Sequence, residues 1–189
     1  MSDPDLVPVA EFDRAAAADA AALLRPACAS IRWAGRLIDG RPYGSLDALI
    51  AASDAAIGAL SWPDIEEALA AHPRIGNRAP SGTGGTPAAD APAAGGDYAP
   101  GGREAAWSRQ EQAGAAAAGA DIQAALRAGN LAYETRFGHI FLICASGQSA
   151  TDMLAALRER LGNEPGAERE VVRDELRRIA ALRLAKTFR

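Results

Sequence analysis

The sequence predicts an all-α fold, a single compact helical domain of about seven or eight helices spanning residues 1–189. Three observations carry that expectation. Apolar residues recur at helical spacing through most of the chain, and recognisable start and stop residues bracket these segments. Only one short run, Ile140-Phe141-Leu142-Ile143-Cys144, is continuously apolar in the manner of a strand. Periodicity alone leaves that run between a buried helix and an extended stretch, and one such run cannot make a sheet. A length of 189 residues suits one core rather than two.

Ser45 opens a segment in which Leu46, Leu49, Ile50, Ile57 and Leu60 lie on or near one face. Ser61 with Pro63 opens the next, which carries Ile65 and Leu69; proline is tolerated in a first helical turn because its missing N–H would be unpaired there. Ser149-Ala-Thr-Asp152 has capping-box spacing ahead of Met153, Leu154, Leu157 and Leu161, and Gly162-Asn163 closes that helix. The last segment starts near Pro165, with Val172, Leu176, Ile179, Leu182 and Leu184 as its stripe. Between Arg78 and Arg103 the composition shifts to glycine, proline, alanine, serine and threonine, with Tyr98 the only large side chain. Such a stretch buries too little surface to offset its ordering entropy, which predicts a flexible low-complexity loop at 78–103. A domain linker is the competing reading, but the parts on either side are each small for an independent core.

Charge narrows the function. Twenty basic against 24 acidic side chains leave a net charge of −4, and Lys186 is the only lysine, a balance that argues against a nucleic-acid binder. Alanine supplies roughly a quarter of the residues, so the 49% hydrophobic content overstates burying power and the large apolar side chains must concentrate in a few stripes. Cys28 and Cys144 cannot build a disulfide framework, which fits a reducing compartment. The acidic start MSDPDLV, and an alanine run broken by Asp13, Arg14, Asp19 and Arg25, do not read as a signal peptide. No stretch reaches the roughly 18 apolar residues of a membrane span, and the last residues carry no peroxisomal address, so a cytoplasmic protein without a membrane partner is expected.

Three stretches are candidates for chemistry. Pro73 disfavours helical geometry at His72, so His72 should end the preceding helix with its imidazole projecting from a turn relaxed at Gly76; this suits a catalytic group and equally a histidine that satisfies the last helical carbonyls. In Trp107-Ser108-Arg109-Gln110-Glu111-Gln112, helical spacing puts Ser108, Glu111 and Gln112 on one face, where they could converge on a small polar ligand, although Ser-x-x-Glu is also a capping box. Asn130 to Gly147 gathers Tyr133, Phe137 and Phe141, which read as core residues, and ends in small residues where a backbone can approach a ligand closely. His72 and His139 lie 67 positions apart with no paired ligand motif, so no metal site is expected. Cys144, inside the apolar run, reads as a quiet thiol.

In order, His72-Pro-Arg-Ile-Gly76, Ser108 to Gln112, Asn130 to Gly147, Arg160-Leu-Gly-Asn163 and Leu182-Arg-Leu184 resemble the 2-oxo-4-hydroxy-4-carboxy-5-ureidoimidazoline (OHCU) decarboxylases of urate breakdown. The resemblance runs from about Leu6 to Lys186 and omits only the low-complexity loop, which family members usually keep shorter. It implies an all-α domain and a carboxy-lyase that yields (S)-allantoin. Catalysis then falls to His72, as the acid, and Glu111, which orients the imidazole or binds urea N–H groups. Pro73 would line the pocket, the stretch Ser108, Arg109, Gln110 and Gln112 would bind the substrate, Ile143, Cys144, Ala145, Ser146 and Gly147 would offer main-chain groups, and Arg183 would be the substrate-binding arginine. No cofactor is implied. The departing carboxylate sits next to a ring C=N bond, so the substrate is its own electron sink and the protein need only orient it and deliver a proton. An ordinary histidine pKa near 6.5 would suit His72 to that transfer. The family also implies a homodimer. A helical module that had lost activity would be expected to lose one of these residues, and a hydrolase of a related ureido compound would need a metal or an activated nucleophile.

Overall fold

The computed structural model describes residues 6–75, 107, 110–111 and 119–189; the loop expected at 78–103 lies outside the described residues. Among the described residues there are eight helices: α1 (Val9–Arg14), α2 (Ala17–Leu24), α3 (Ile31–Asp39), α4 (Leu46–Gly58), α5 (Trp62–Ala70), α6 (Ala120–Phe137), α7 (Ala150–Arg160) and α8 (Pro165–Ala185). The only extended pairing among them is an isolated bridge between Val7 and Phe188, where Val7 N–H donates to the Thr187 carbonyl at 2.8 Å and Arg189 N–H to the Val7 carbonyl at 3.1 Å.

Local chemistry sets several helix starts. The hydroxyl of Ser45 accepts from the Ala48 N–H and that of Ser149 from the Asp152 N–H, both at 3.2 Å, each satisfying an otherwise orphaned first-turn donor. Asp152 returns the favour to the Ser149 N–H, and Asp64 does so to Ser61 ahead of α5. Gly138 ends α6 at a φ of 78°, a left-handed geometry that costs glycine nothing.

Two buried clusters result. The larger gathers Phe12, Leu24, Trp33, Leu37, Leu49, Ile57 and Ile65 from α1 to α5 around Val172, Leu176 and Ile179 of α8. The smaller joins Leu126 and Tyr133 of α6 to Met153, Leu154 and Leu157 of α7, with Ile75. The apolar run joins neither a helix nor a ladder. Ile140, Leu142 and Cys144 pack on the larger cluster and Phe141, Ile143 and Ala145 belong to the smaller, a period-two alternation that marks an extended segment buried on both sides.

Helix α8 is the spine between them. Its buried face carries Val172, Leu176, Ile179 and Leu184, and at the same helical spacing Glu168, Glu175 and Arg183; Leu182 lies only partly on it. Each buried charge reaches a different part of the chain. Glu168 pairs with Arg160 of α7, Glu175 accepts the Cys144 N–H, and Arg183 pairs with Glu111.

Candidate active site

At the end of α5 the His72 N–H donates to the Leu69 carbonyl at 2.9 Å, and Pro73 stops further helix. The imidazole Nδ1 lies 2.9 Å from the Ala68 carbonyl. A carbonyl only accepts, so Nδ1 carries the proton and Nε2 presents a lone pair. Nε2 is buried and has no hydrogen-bond partner among the described residues. The helix-end reading therefore accounts for one ring nitrogen and leaves the other aimed at a cleft.

That cleft spans about 330 Å³, open solvent at its mouth included. Among the described residues its lining comes from four places: His72, Pro73 and Ile75 of the turn; Phe141, Leu142, Ile143 and Ala145 of the extended segment; Ile179 and Arg183 of α8; and Glu111. The turn is pinned from α6, where Asn130 Nδ2 donates to the Ile75 carbonyl at 2.7 Å and Glu134 accepts a two-pronged contact from Arg74 at 2.6 and 2.8 Å.

Glu111, in helical conformation with Trp107 and Gln110, accepts from Arg183 Nη2 at 2.9 Å, Arg183 Nε at 3.3 Å and Lys186 Nζ at 3.3 Å. Lys186 sits 5.9 Å above the Trp107 ring. Arg183 is only 2% exposed and also donates to the Pro26 carbonyl at 3.2 Å. Burial and, second, the Arg183 charge push the His72 pKa from 6.5 down to about 4, against the opposing pull of the Ala68 bond and Glu111. The ring thus rests neutral at pH 7. This differs from the ordinary pKa expected from the sequence, because Pro73 was expected to project the ring from a turn, whereas the half-buried residue has its Nε2 sealed from solvent.

The expected site residues divide. His72, Pro73, Glu111, Ile143, Ala145 and Arg183 line the cleft together. Gln110 is exposed, and Ser108, Arg109 and Gln112 lie outside the described residues. Cys144 faces the larger core, with its thiol pKa pushed up by burial, while Ser146 and Gly147 are exposed in a turn closed by Gln148 N–H on the Ala145 carbonyl at 3.1 Å. Sequence reasoning missed Ile75, Phe141, Leu142 and Ile179 as lining residues. Ile75 sits within the His72 motif, and Ile179 lies one turn before Arg183 on the α8 stripe, which was the available signal. His139 packs edge-on against Trp62 and Tyr133, away from this lining. Among the described residues no three His, Cys, Asp or Glu side chains are grouped to hold a metal ion, and no helix is long and apolar enough to cross a membrane.

A profile of the OHCU decarboxylase family matches residues 13–185. The uric acid degradation bifunctional protein TTL of Arabidopsis thaliana is 35% identical over 161 residues, covering 85% of this chain and 45% of the relative. The 2-oxo-4-hydroxy-4-carboxy-5-ureidoimidazoline decarboxylase of Amia calva is 41% identical over 75 residues, 40% of this chain and 43% of the relative. The chain thus matches less than half the length of each of these relatives. A crystal structure of an OHCU decarboxylase in the presence of (S)-allantoin superposes with a TM-score of 0.65 at 30% identity, covering 86% of this chain and 94% of that one. A crystal structure of (S)-allantoin synthase gives a TM-score of 0.65 at 18% identity, covering 96% and 54%, a likeness of fold.

Proposed function

The chain belongs to the OHCU decarboxylase family, and we propose that it converts 2-oxo-4-hydroxy-4-carboxy-5-ureidoimidazoline to (S)-allantoin and CO2 without a cofactor, as a step of urate breakdown. The observation that carries the reading is the buried, unpartnered Nε2 of a neutral His72 in the same cleft as Arg183. Two cations and one carboxylate, Arg183, Lys186 and Glu111, leave this cluster with one net positive charge, which suits a substrate bearing one carboxylate.

The neutral ring starts the reaction as a base. Nε2 accepts the proton of the substrate's C4 hydroxyl while the bond from C4 to the carboxylate breaks and CO2 leaves. The released pair forms a C4=C5 double bond, and the pair of the former C5=N bond moves onto the ring nitrogen. His72, now an imidazolium, returns its proton to one face of C5, and C4 closes to a carbonyl. One further proton from water neutralises the ring nitrogen, so the net uptake of one proton balances the loss of a carboxylate as CO2. The Nδ1 bond to Ala68 holds the imidazole in the tautomer this cycle needs, and delivery from a fixed side gives a single enantiomer. Arg183 attracts the anion and, beside Nε2, favours release of the proton from the imidazolium. The apolar wall of Phe141, Leu142 and Ile179 excludes water from the departing carboxylate.

On this reading Ser108 and Gln112 bind the ring and ureido groups of the substrate. The chain acts as one domain in the cytoplasm, takes a small-molecule substrate rather than nucleic acid, and works as a homodimer, which sedimentation would test. The deciding experiment generates the unstable substrate from urate in situ and follows circular dichroism of the allantoin formed. Added protein should hasten formation of optically active product; racemic product at the spontaneous rate overturns the proposal.

A further inference from the structure

The cleft wall from Ile140 to Ala145 belongs to no helix or ladder, so its backbone polar groups have no regular partners. Side chains serve instead: His139 Nδ1 donates to the Ile140 carbonyl at 3.1 Å, Gln148 Nε2 to the Cys144 carbonyl at 3.0 Å, and two buried side chains stand behind the wall. Arg160 Nη1 donates to the Leu142 carbonyl and Glu175 Oε2 accepts from the Cys144 N–H, both at 2.8 Å. These bonds fall on either side of Ile143, whose side chain lines the cleft, while neither Arg160 nor Glu175 lines it. Glu175 is 8% exposed on the buried stripe of α8, where an apolar residue would pack as well. Its other oxygen meets Arg178 at 3.0 Å, but the Arg178 side chain is 67% exposed, and a pair so open to water gives little reason to bury a carboxylate.

We propose that Glu175 is a positioning residue for the reaction in the cleft: as the hydrogen-bond acceptor for Cys144 N–H it sets the depth of the Ile143-Cys144-Ala145 backbone opposite His72, with Arg160 as the second tether. The proposal rests on the decarboxylase reading given above. An extended segment without a neighbouring strand is fixed only by its side packing and such tethers, and a displacement of about 1 Å in a positioning group can cost roughly 100-fold in rate. What the wall requires is an acceptor, not a charge.

The test compares Glu175→Gln, which keeps an acceptor oxygen, with Glu175→Met, which keeps the volume and removes the acceptor; Arg178→Ala is the control for the ion pair. With substrate generated from urate, Glu175→Met is expected to lower kcat by about 100-fold with a smaller change in KM. Glu175→Gln and Arg178→Ala should stay within about threefold of the parent protein, since the tether remains. Hydrogen exchange gives a readout independent of turnover: the Cys144 amide should be protected in the parent and the glutamine variant and exchange faster in the methionine variant. If Glu175→Met does not fold, Glu175→Leu, which also lacks an acceptor for Cys144 N–H, takes its place in both measurements. A folded methionine variant with parental kcat, or a loss that glutamine does not restore, overturns the proposal. An inactive parent protein would instead count against the decarboxylase reading, and the exchange pattern at Cys144 would still decide the tether.

Discussion

Helix α8 contributes to two buried arginine–glutamate pairs that use the same chemistry in opposite ways. Glu168 is fully buried and accepts from Arg160 Nε at 2.8 Å, Arg160 Nη2 at 2.6 Å, Asn163 Nδ2 at 2.7 Å and the Tyr133 hydroxyl. The remaining Arg160 fork reaches the Leu142 carbonyl, and its guanidinium lies 4.6 Å above the Phe141 ring. Burial, first, and Glu168 itself hold the Tyr133 phenol in its protonated, donating form. This pair has no opening to the cleft. The pair of Arg183 with Glu111 is longer, at 2.9 and 3.3 Å, shares its carboxylate with Lys186, and lines the cleft. A buried ion pair is weak evidence for stability, because desolvation offsets its attraction. The surroundings separate the roles: the closed pair, saturated on every side, holds the wall in place, and the open pair faces whatever enters.

The largest effect should come from unpairing the closed member. Glu168→Gln removes the counter-charge of a buried arginine and is expected to cost about 3–5 kcal/mol in urea unfolding. Glu111→Gln should cost less than half as much, because Arg183 can take water from the cleft, while turnover falls steeply. Equal stability losses in the two variants would show that the cleft pair is as structural as the other.

His72, which faces the open pair, gives that contrast a pH dependence. In the unfolded chain its pKa is near 6.5, and in the folded protein about 4. Above pH 6.5 the ring is neutral in both states and contributes nothing. As pH falls from 6.5 toward 4 the unfolded chain gains a proton that the folded ring refuses, so stability declines, by up to roughly 3 kcal/mol. His72→Asn should flatten the stability profile in that window alone. Arg183→Met should raise the ring's pKa and shift the decline to a narrower, higher range, whereas a variant of the closed pair should leave the window unchanged. Urea midpoints measured from pH 4 to 7 test all three.

How far the sequence could foresee this depends on the range of each interaction. The starts of α4, α5 and α7 were legible because Ser45, Ser61 and Ser149 act within their own first turns. α1, α2 and α6 have no side-chain cap, and α2 is mostly alanine, so neither signal was available. The run at 140–144 was ambiguous for a physical reason: a segment buried on both sides shows no alternation in hydropathy, although its residues alternate between two cores. In the site, the posture of His72 followed from Pro73 next to it, but its neutral state comes first from burial and second from the charge of Arg183, more than a hundred residues away. Glu111 and Arg183 are 72 residues apart, and neither spacing nor capping logic could join them without the family resemblance. The polar residues on the α8 stripe were a signal left unused. Glu168, Glu175 and Arg183 recur at helical spacing on an apolar face, where a charge must have a partner.

At the catalytic step the expected effect is comparable to the smallest of those above. His72→Asn, near in size and polarity, should leave the helical circular-dichroism signal intact at pH 7 and reduce turnover at least about 100-fold, the usual range for a positioned acid–base group. Near-parental turnover would leave the imidazole as a helix-end group only.

The smallest effect belongs to a third pair of the same kind, on the surface. Arg74 meets Glu134 at 2.6 and 2.8 Å, with the two-pronged geometry of the Arg183–Glu111 pair, and it lies two residues from His72. Its side chain is 52% exposed, so water competes for the same hydrogen bonds and salt screens the attraction. Of the two contacts that pin the turn from α6 it is the weaker, because Asn130 holds the Ile75 carbonyl from inside, and Pro73 restricts the backbone besides. Arg74→Ala should therefore cost less than about 1 kcal/mol, less still at high salt, and leave turnover within about threefold. A larger loss of turnover at unchanged stability would mean that the geometry of the His72 turn is set from its exposed side, and the division of labour between closed and open pairs would have to include the surface one.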